Sequence, residues 1–269
     1  MNPLSRGRLV ETLQNAGERL GEGLLGLLYP FRCEICSTGN PLMGLMLCRD
    51  CASKLAAGLA EERCPRCASP RSPLLAGRER CQSCRPLALA FDRALAAADW
   101  HGPMSHLIAG LKFRRRKYLA PTISRYLAAA VARSGLRFDA VVPVPLHWTA
   151  RLLRQFNQTE LLAEHLSKRL RLPVRKALKR TRYTPSQRNF SRSGRFQNVH
   201  GAFGPGLEAH CAHGRSILLV DDVMTSGATA AECARTLKRL GAREVTVAVA
   251  ARASLFAGRV PWAAQHRDA

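Results

Sequence analysis

Ile217–Ala230 reads ILLVDDVMTSGATA. Four apolar residues, Ile217–Val220, read as a buried strand that runs straight into two adjacent acids, Asp221 and Asp222. Neighbouring carboxylates repel each other, so placing them where a buried strand ends implies a ligand. Behind them, Thr225–Thr229 form a turn of small and hydroxylated residues. Gly227 lets the backbone approach an anion closely. Thr225, Ser226 and Thr229 offer hydroxyl donors, and the amides at the start of the next helix favour negative charge. Two carboxylates are poor partners for more phosphate. They suit the vicinal hydroxyls of a ribose, with Mg2+ damping their mutual repulsion. A single N-capping Asp before a tight turn would explain neither the second acid nor the hydroxyl loop.

The surrounding pattern places this stretch in an α/β fold. Phe138–Val144 and Val245–Ala250 read as strands; Thr159–Leu170 and Ala228–Leu240 read as helices, the latter ended by Gly241. That order predicts right-handed crossovers and a parallel sheet flanked by helices. In such sheets ligands bind beyond the carboxyl ends of the strands. Lys179–Asn198 is a polar stretch in which Pro185 and Gly194 are expected to break any helix, as in a lid or a disordered segment.

The N-terminal third has another character. Eight cysteines form four CxxC knuckles: Cys33–Cys36, Cys48–Cys51, Cys64–Cys67 and Cys81–Cys84. Each knuckle aims two thiolates at one point, and two knuckles complete a tetrahedral four-sulfur shell suited to zinc. In a reducing compartment this spacing favours metal over disulfides. The sequential pairing puts one structural zinc on Cys33, Cys36, Cys48 and Cys51, and a second on Cys64, Cys67, Cys81 and Cys84. An interleaved cross-brace is the alternative. Closed four-thiolate sites leave no position for substrate, so the role is structural. Cys233 shares a helical face with Leu237 and Leu240 and reads as a core residue.

The 269 residues carry a formal charge of +23, unevenly spread. Residues 1–95 hold 13 Lys/Arg and 9 Asp/Glu, whereas residues 96–269 hold 29 and 10. Such a surface attracts phosphates, though an Arg-rich soluble surface without a polyanion partner fits the charge as well. Lys112–Lys117 is a dense basic run beside Phe113 and Tyr118, read either as a pyrophosphate or nucleic-acid contact or as a solvated helix start. Leu9, Leu13, Leu20 and Leu24 recur near helical spacing, so residues 1–30 read as an amphipathic N-terminal helix. The run LLGLLYPF is too short to span a bilayer, and a cytoplasmic location is the simplest expectation.

ILLVDDVMTSGATA resembles the 5-phosphoribosyl-1-pyrophosphate (PRPP) signature of type I phosphoribosyltransferases. With the cysteine region in front, the chain resembles the ComF/GntX family of competence-associated proteins; VVPVPLHWTARLLRQFNQTELLA and LKRTRYTPSQRNFSRSGRFQNVHGAF also match. The resemblance implies a double zinc ribbon at 31–90 and a phosphoribosyltransferase-like domain at 91–269. It implies that Asp221 and Asp222 bind ribose hydroxyls, and that Thr225, Ser226, Gly227, Ala228 and Thr229 wrap the 5-phosphate. Magnesium would accompany PRPP. Pyrophosphate would lie at the turn after Phe138–Val144, near Arg151, Arg154 and Lys112, with Arg180, Gln187 and Arg195 on the lid. Family members often carry Arg-Gly-Phe-Asn-Gln where this chain has Arg154-Gln155-Phe156-Asn157-Gln158, so the glycine is missing; Asn157 also suits a helix cap. The resemblance further implies DNA uptake, single-stranded DNA along the basic surface, and competence or recombination proteins as partners. Transfer to an acceptor would be the enzymatic alternative, but neither a general base nor an acceptor pocket is legible.

Overall fold

The computed structural model describes residues 32–70, 81, 84–100, 102–146, 155–184 and 191–253. The N-terminal helix expected over residues 1–30 lies outside them, as do Arg151, Arg154 and Gln187. The chain divides into two compact units between Arg49 and Asp50.

In the first unit the backbone folds into tight turns around its cysteines. The Cys33 amide donates to the Gly39 carbonyl at 2.9 Å and the Glu34 amide to the Met46 carbonyl at 3.0 Å. Leu47 is fully buried beneath them.

The second unit contains a four-stranded parallel sheet in the order β1-β6-β5-β2. Its strands are β1 (Arg93–Asp99), β2 (Ala140–Pro143), β5 (Ser216–Met224) and β6 (Glu244–Arg252). β5 and β6 are apolar on both faces, as helices on each side require. Five helices follow α1 (Arg49–Ala60): α2 (Pro103–Phe113), α3 (Ala120–Arg133), α4 (Gln158–Leu170), α5 (Arg192–Val199) and α6 (Ala228–Arg239). α3 packs on β1 and β6, α4 on β2 and β5, and α6 on β5 and β6. α6 buries Ala230, Cys233, Ala234 and Leu237, a helical stripe that confirms Cys233 as a core residue. A left-handed Gly241 (φ 87°) ends that helix.

The strand expected over Ile217–Val220 continues to Met224. β2 ends at Pro143, opposite Val220, where the Val144 amide makes the last bond to β5, donating to the Val220 carbonyl at 2.9 Å. β6 does not stop there: Asp221 pairs with Val249, Val223 with Ala251 and Met224 with Arg252. The acid pair therefore stands inside a strand, on a segment that overhangs the end of β2.

A small antiparallel hairpin joins β3 (Leu178–Arg180) to β4 (Phe203–Pro205). Part of the polar stretch between them is regular. Ser191 caps α5, its hydroxyl accepting from the Gly194 amide at 3.1 Å. Gly194 sits inside that helix rather than breaking it, because Val199 is buried and Phe196 packs on the core. The basic run is the end of α2, not a helix start. Lys112 lies in its last turn, and Arg115 turns left-handed (φ 54°) before a 3-10 turn at Lys117–Leu119.

Candidate functional site

Successive strand residues lean to opposite faces, yet the Asp221 and Asp222 carboxyls stay close enough to interact. Asp222 is 3% exposed. Its Oδ2 meets Lys112 Nζ at 2.8 Å and accepts from Gln158 Nε2 at 2.8 Å, from the end of α2 and the start of α4. Gln158 Oε1 is buried and has no partner among the described residues. Asp221 is half-buried on the α6 face, within electrostatic reach of Arg180 and Cys233. Its Oδ1 accepts from the Asp222 amide at 2.8 Å. Burial, and then the negative Asp222, push its carboxyl up to about 7, with Lys112 pulling the other way. The two acids thus do different work. Asp222 is already neutralised by a lysine, while Asp221 carries the cost of its own charge.

The following turn is shaped by a glycine and leads directly into the N-terminus of α6. Gly227 adopts φ 81°, a left-handed conformation in which a Cβ is strained. Ser226 is buried, and its hydroxyl accepts from the Ala228 amide at 3.3 Å. Thr225 and Thr229 are half-buried. Arg252, buried at the end of β6, donates from Nη1 to the carbonyls of Met224 (2.9 Å) and Thr225. Those oxygens, which would repel an anion, are held inward. The first turn of α6, with no carbonyl partners inside the helix, lies at the other side of the turn.

The basic residues expected around this site are placed unequally. Lys112 is on Asp222. Arg180 lies over the Phe203 ring at 5.3 Å, donates to Thr184 Oγ1, and is close enough to Asp221 for their charges to interact. Arg195 sits on α5, which packs along α6. At the turn after β2, Gln155 takes φ 63°, the conformation glycine favours, at a cost of about 1 kcal/mol for a side chain. Asn157 caps α4, its Oδ1 accepting from the Thr159 amide (3.1 Å) and hydroxyl (2.6 Å). Between this turn and the hairpin opens a cleft of about 440 Å3, bounded by Pro143, Pro145, Asn157, Lys176, Leu178 and Arg180.

The cysteines assemble in sequential pairs. The sulfurs of Cys33, Cys36, Cys48 and Cys51 lie within 4.8 Å of one another, as do those of Cys64, Cys67, Cys81 and Cys84. This excludes the interleaved arrangement. Four sulfurs about 2.3 Å from a central zinc would stand about 3.8 Å apart. Cys36–Cys48 is 3.7 Å, Cys64–Cys84 3.9 Å and Cys67–Cys81 3.5 Å. The donor set and spacing fit one zinc per cluster. In the second cluster a thiol hydrogen bond from Cys67 lowers Cys64 to about 4, while burial and then the charge on Cys64 push Cys84 up to about 11. Four thiolates there need a dication between them.

Competence protein F of Haemophilus influenzae is 30% identical over 231 residues, covering 84% of this chain and 98% of its own length. The chain belongs to the ComF/GntX family. DNA utilization protein YhgH of Escherichia coli K12 is 34% identical to this ComF-family chain, covering 82% of it and 96% of its own length. A double zinc ribbon domain matches residues 24–85 and a phosphoribosyl transferase domain residues 159–260. A purine phosphoribosyltransferase from Pyrococcus horikoshii is 18% identical, with a TM-score of 0.34, covering 53% of this chain and 79% of that one. Among the described residues no helix is long and apolar enough to cross a membrane.

Two residues of the site escaped the sequence reading. Gln158 lay inside the matching FNQ stretch, but nothing local tied it to Asp222, 64 residues away. Arg252 ends an apolar strand and carries no motif at all.

Proposed function

We propose that this ComF-family chain binds PRPP with Mg2+ and single-stranded DNA, and acts in DNA uptake or utilisation in the cytoplasm. The observation that carries the PRPP reading is the overhang of β5: a carboxylate held against its own burial and, four residues on, a left-handed glycine turn that opens α6, at one sheet edge. Asp221 accepts a ribose hydroxyl, and Thr225–Thr229 receive the 5-phosphate. The orphaned Gln158 Oε1 beside Asp222 suits a hydroxyl or a metal-bound water. Mg2+ would supply charge neutralisation on the pyrophosphate, near Lys112 and Arg180. Names of the relatives, competence protein F and DNA utilization protein YhgH, support the biological setting.

The DNA reading rests on the ridge at the end of α2. Arg114, Arg115, Arg116 and Lys117 lie between exposed Phe113 and Tyr118. The ridge reaches the turn after β2, where Arg115 bonds Gln155 at 3.3 Å and Lys117 lies over the Phe156 ring at 5.1 Å. Cations interleaved with aromatics suit a single strand, whose phosphates and unstacked bases need both. The 440 Å3 cleft on the Arg180 side favours a second reading, transfer of the phosphoribosyl group to an acceptor seated there.

Mg2+ with PRPP raises the melting temperature, whereas ribose alone does not; no rise with PRPP overturns the ligand. Released pyrophosphate with labelled PRPP and a panel of bases and DNA separates transfer from binding.

A further inference from the structure

We propose that Arg252 couples the second cysteine cluster to the phosphate turn, so that the metal bound by Cys64, Cys67, Cys81 and Cys84 sets how well the turn binds an anion. The proposal rests on the reading of Thr225–Thr229 as the seat of a phosphate. Its ground is one guanidinium with two ends. Arg252 Nε donates to the Cys67 carbonyl at 2.8 Å, and Nη1 donates to the carbonyls of Met224 (2.9 Å), Thr225 and Ala253 (2.6 Å). The residue is 2% exposed, so each of these carbonyls replaces a lost water.

The knuckle and the turn are also packed together. Cys64, Cys67 and Cys84 belong to the same buried cluster as Leu89, Phe91 and Met224. A Cβ on Gly227 would meet Leu89, Met224 and Phe91 between 3.5 and 3.7 Å. Arg66, between the two cysteines of the knuckle, donates to the carbonyls of Phe91 and Leu89. The apolar floor of the turn is therefore pinned by the same knuckle that holds Arg252.

Cys67 binds metal through sulfur while its carbonyl orients Arg252, and one backbone unit does both. Without the metal, only hydrogen bonds and apolar packing hold the knuckle, and its sulfurs lose their common centre. Arg252 then loses its Cys67 anchor, and the Thr225 carbonyl is free to turn toward the anion, while the Met224 carbonyl keeps its bond from the Ala253 amide at 3.0 Å. Arg252 acts through the turn and is a positioning residue, not a catalytic one. A lysine, with one compact ammonium, cannot span both ends.

The test compares wild type with Arg252→Lys, Cys81→Ser, the double variant, and Cys36→Ser as the control that removes the other ion. Zinc content, hydrogen exchange at the amides of residues 225–230, and PRPP affinity in Mg2+ are read on each. Arg252→Lys keeps two zinc ions, exchanges those amides at least about ten-fold faster and binds PRPP about ten-fold more weakly. Cys81→Ser does the same with one ion, and the double variant is no worse than either single, the signature of one shared path. Cys36→Ser leaves turn and affinity as in wild type. Equal effects of Cys36→Ser and Cys81→Ser, or unchanged exchange in Arg252→Lys, overturn the coupling. Should Arg252→Lys not fold, the comparison of the two cysteine variants decides alone. Absence of PRPP binding in wild type would remove the ligand but not the exchange result, so the two readings fail separately.

Discussion

Replacing Asp221 by asparagine is expected to make the protein more stable and unable to respond to PRPP. The Asp221 carboxyl titrates near 7 in the fold, against 3.8 for a free aspartate, first because of burial and then because of Asp222. A group whose folded-state value is raised favours the fold only while protonated. Its contribution is intact below the unfolded value, declines from about pH 4, and is fully lost above the folded value near pH 7. A displacement of that size is worth about 4 kcal/mol as a ceiling. Asp221 is only half-buried, and water at the rim reduces this to about 2 kcal/mol. Asparagine keeps an oxygen to accept from the Asp222 amide, as Asp221 Oδ1 does. The variant thus removes the charge and spares the geometry. For a unit of this size 2 kcal/mol corresponds to about 4–8 °C in melting temperature. Calorimetry at pH 8 should show that gain. At pH 4.5 it should shrink to about a quarter, because that pH lies less than one unit above the unfolded value. Mg2+ with PRPP should raise the melting temperature of wild type at pH 8 and leave Asp221→Asn unmoved. A variant that is less stable at pH 8, or whose gain is the same at both pH values, would refute the argument that Asp221 is a carboxylate kept for a ligand at the expense of the fold.

Other expectations follow from the remaining contacts. Lys112→Met leaves Asp222 buried without its cation and should cost about 3 kcal/mol, lowering the melting temperature by about 6–12 °C; adding Asp222→Asn should recover most of the loss, and additive losses would refute the pairing. Single-stranded DNA held by Arg114, Arg115, Arg116 and Lys117 should show a log–log salt slope of about −3, an affinity loss of about 50-fold between about 50 and 200 mM salt; Arg115→Glu with Arg116→Glu should flatten that slope, and an unchanged slope places the DNA elsewhere. Metal analysis should give two zinc ions per chain, falling to one in Cys36→Ser and in Cys64→Ser; a content unchanged by either variant would exclude the paired clusters.

What the sequence made legible is what short stretches determine. CxxC spacing fixes where two sulfurs point, so four knuckles announced two clusters, and Asn157 and Gly241 announced the ends of their helices by local backbone chemistry. The acid pair and its glycine turn were visible for the same reason. The errors came where a distant partner decides. β5 runs past Val220 because β6 continues beside it after β2 has ended, and no residue within Ile217–Val220 encodes that. Once the strand is longer, its two-residue period gives the neighbouring carboxyls of Asp221 and Asp222 different partners, although they stay close enough to interact. Asp222 is then committed to Lys112 and Gln158, and Asp221 is left with a charge that burial disfavours. Arg252 takes the argument furthest. Its importance depends on a carbonyl 185 residues away in the chain, in a knuckle whose own pattern advertises only metal. A cysteine knuckle that reads as part of a separate module in the sequence is joined, through that one side chain, to the turn after β5.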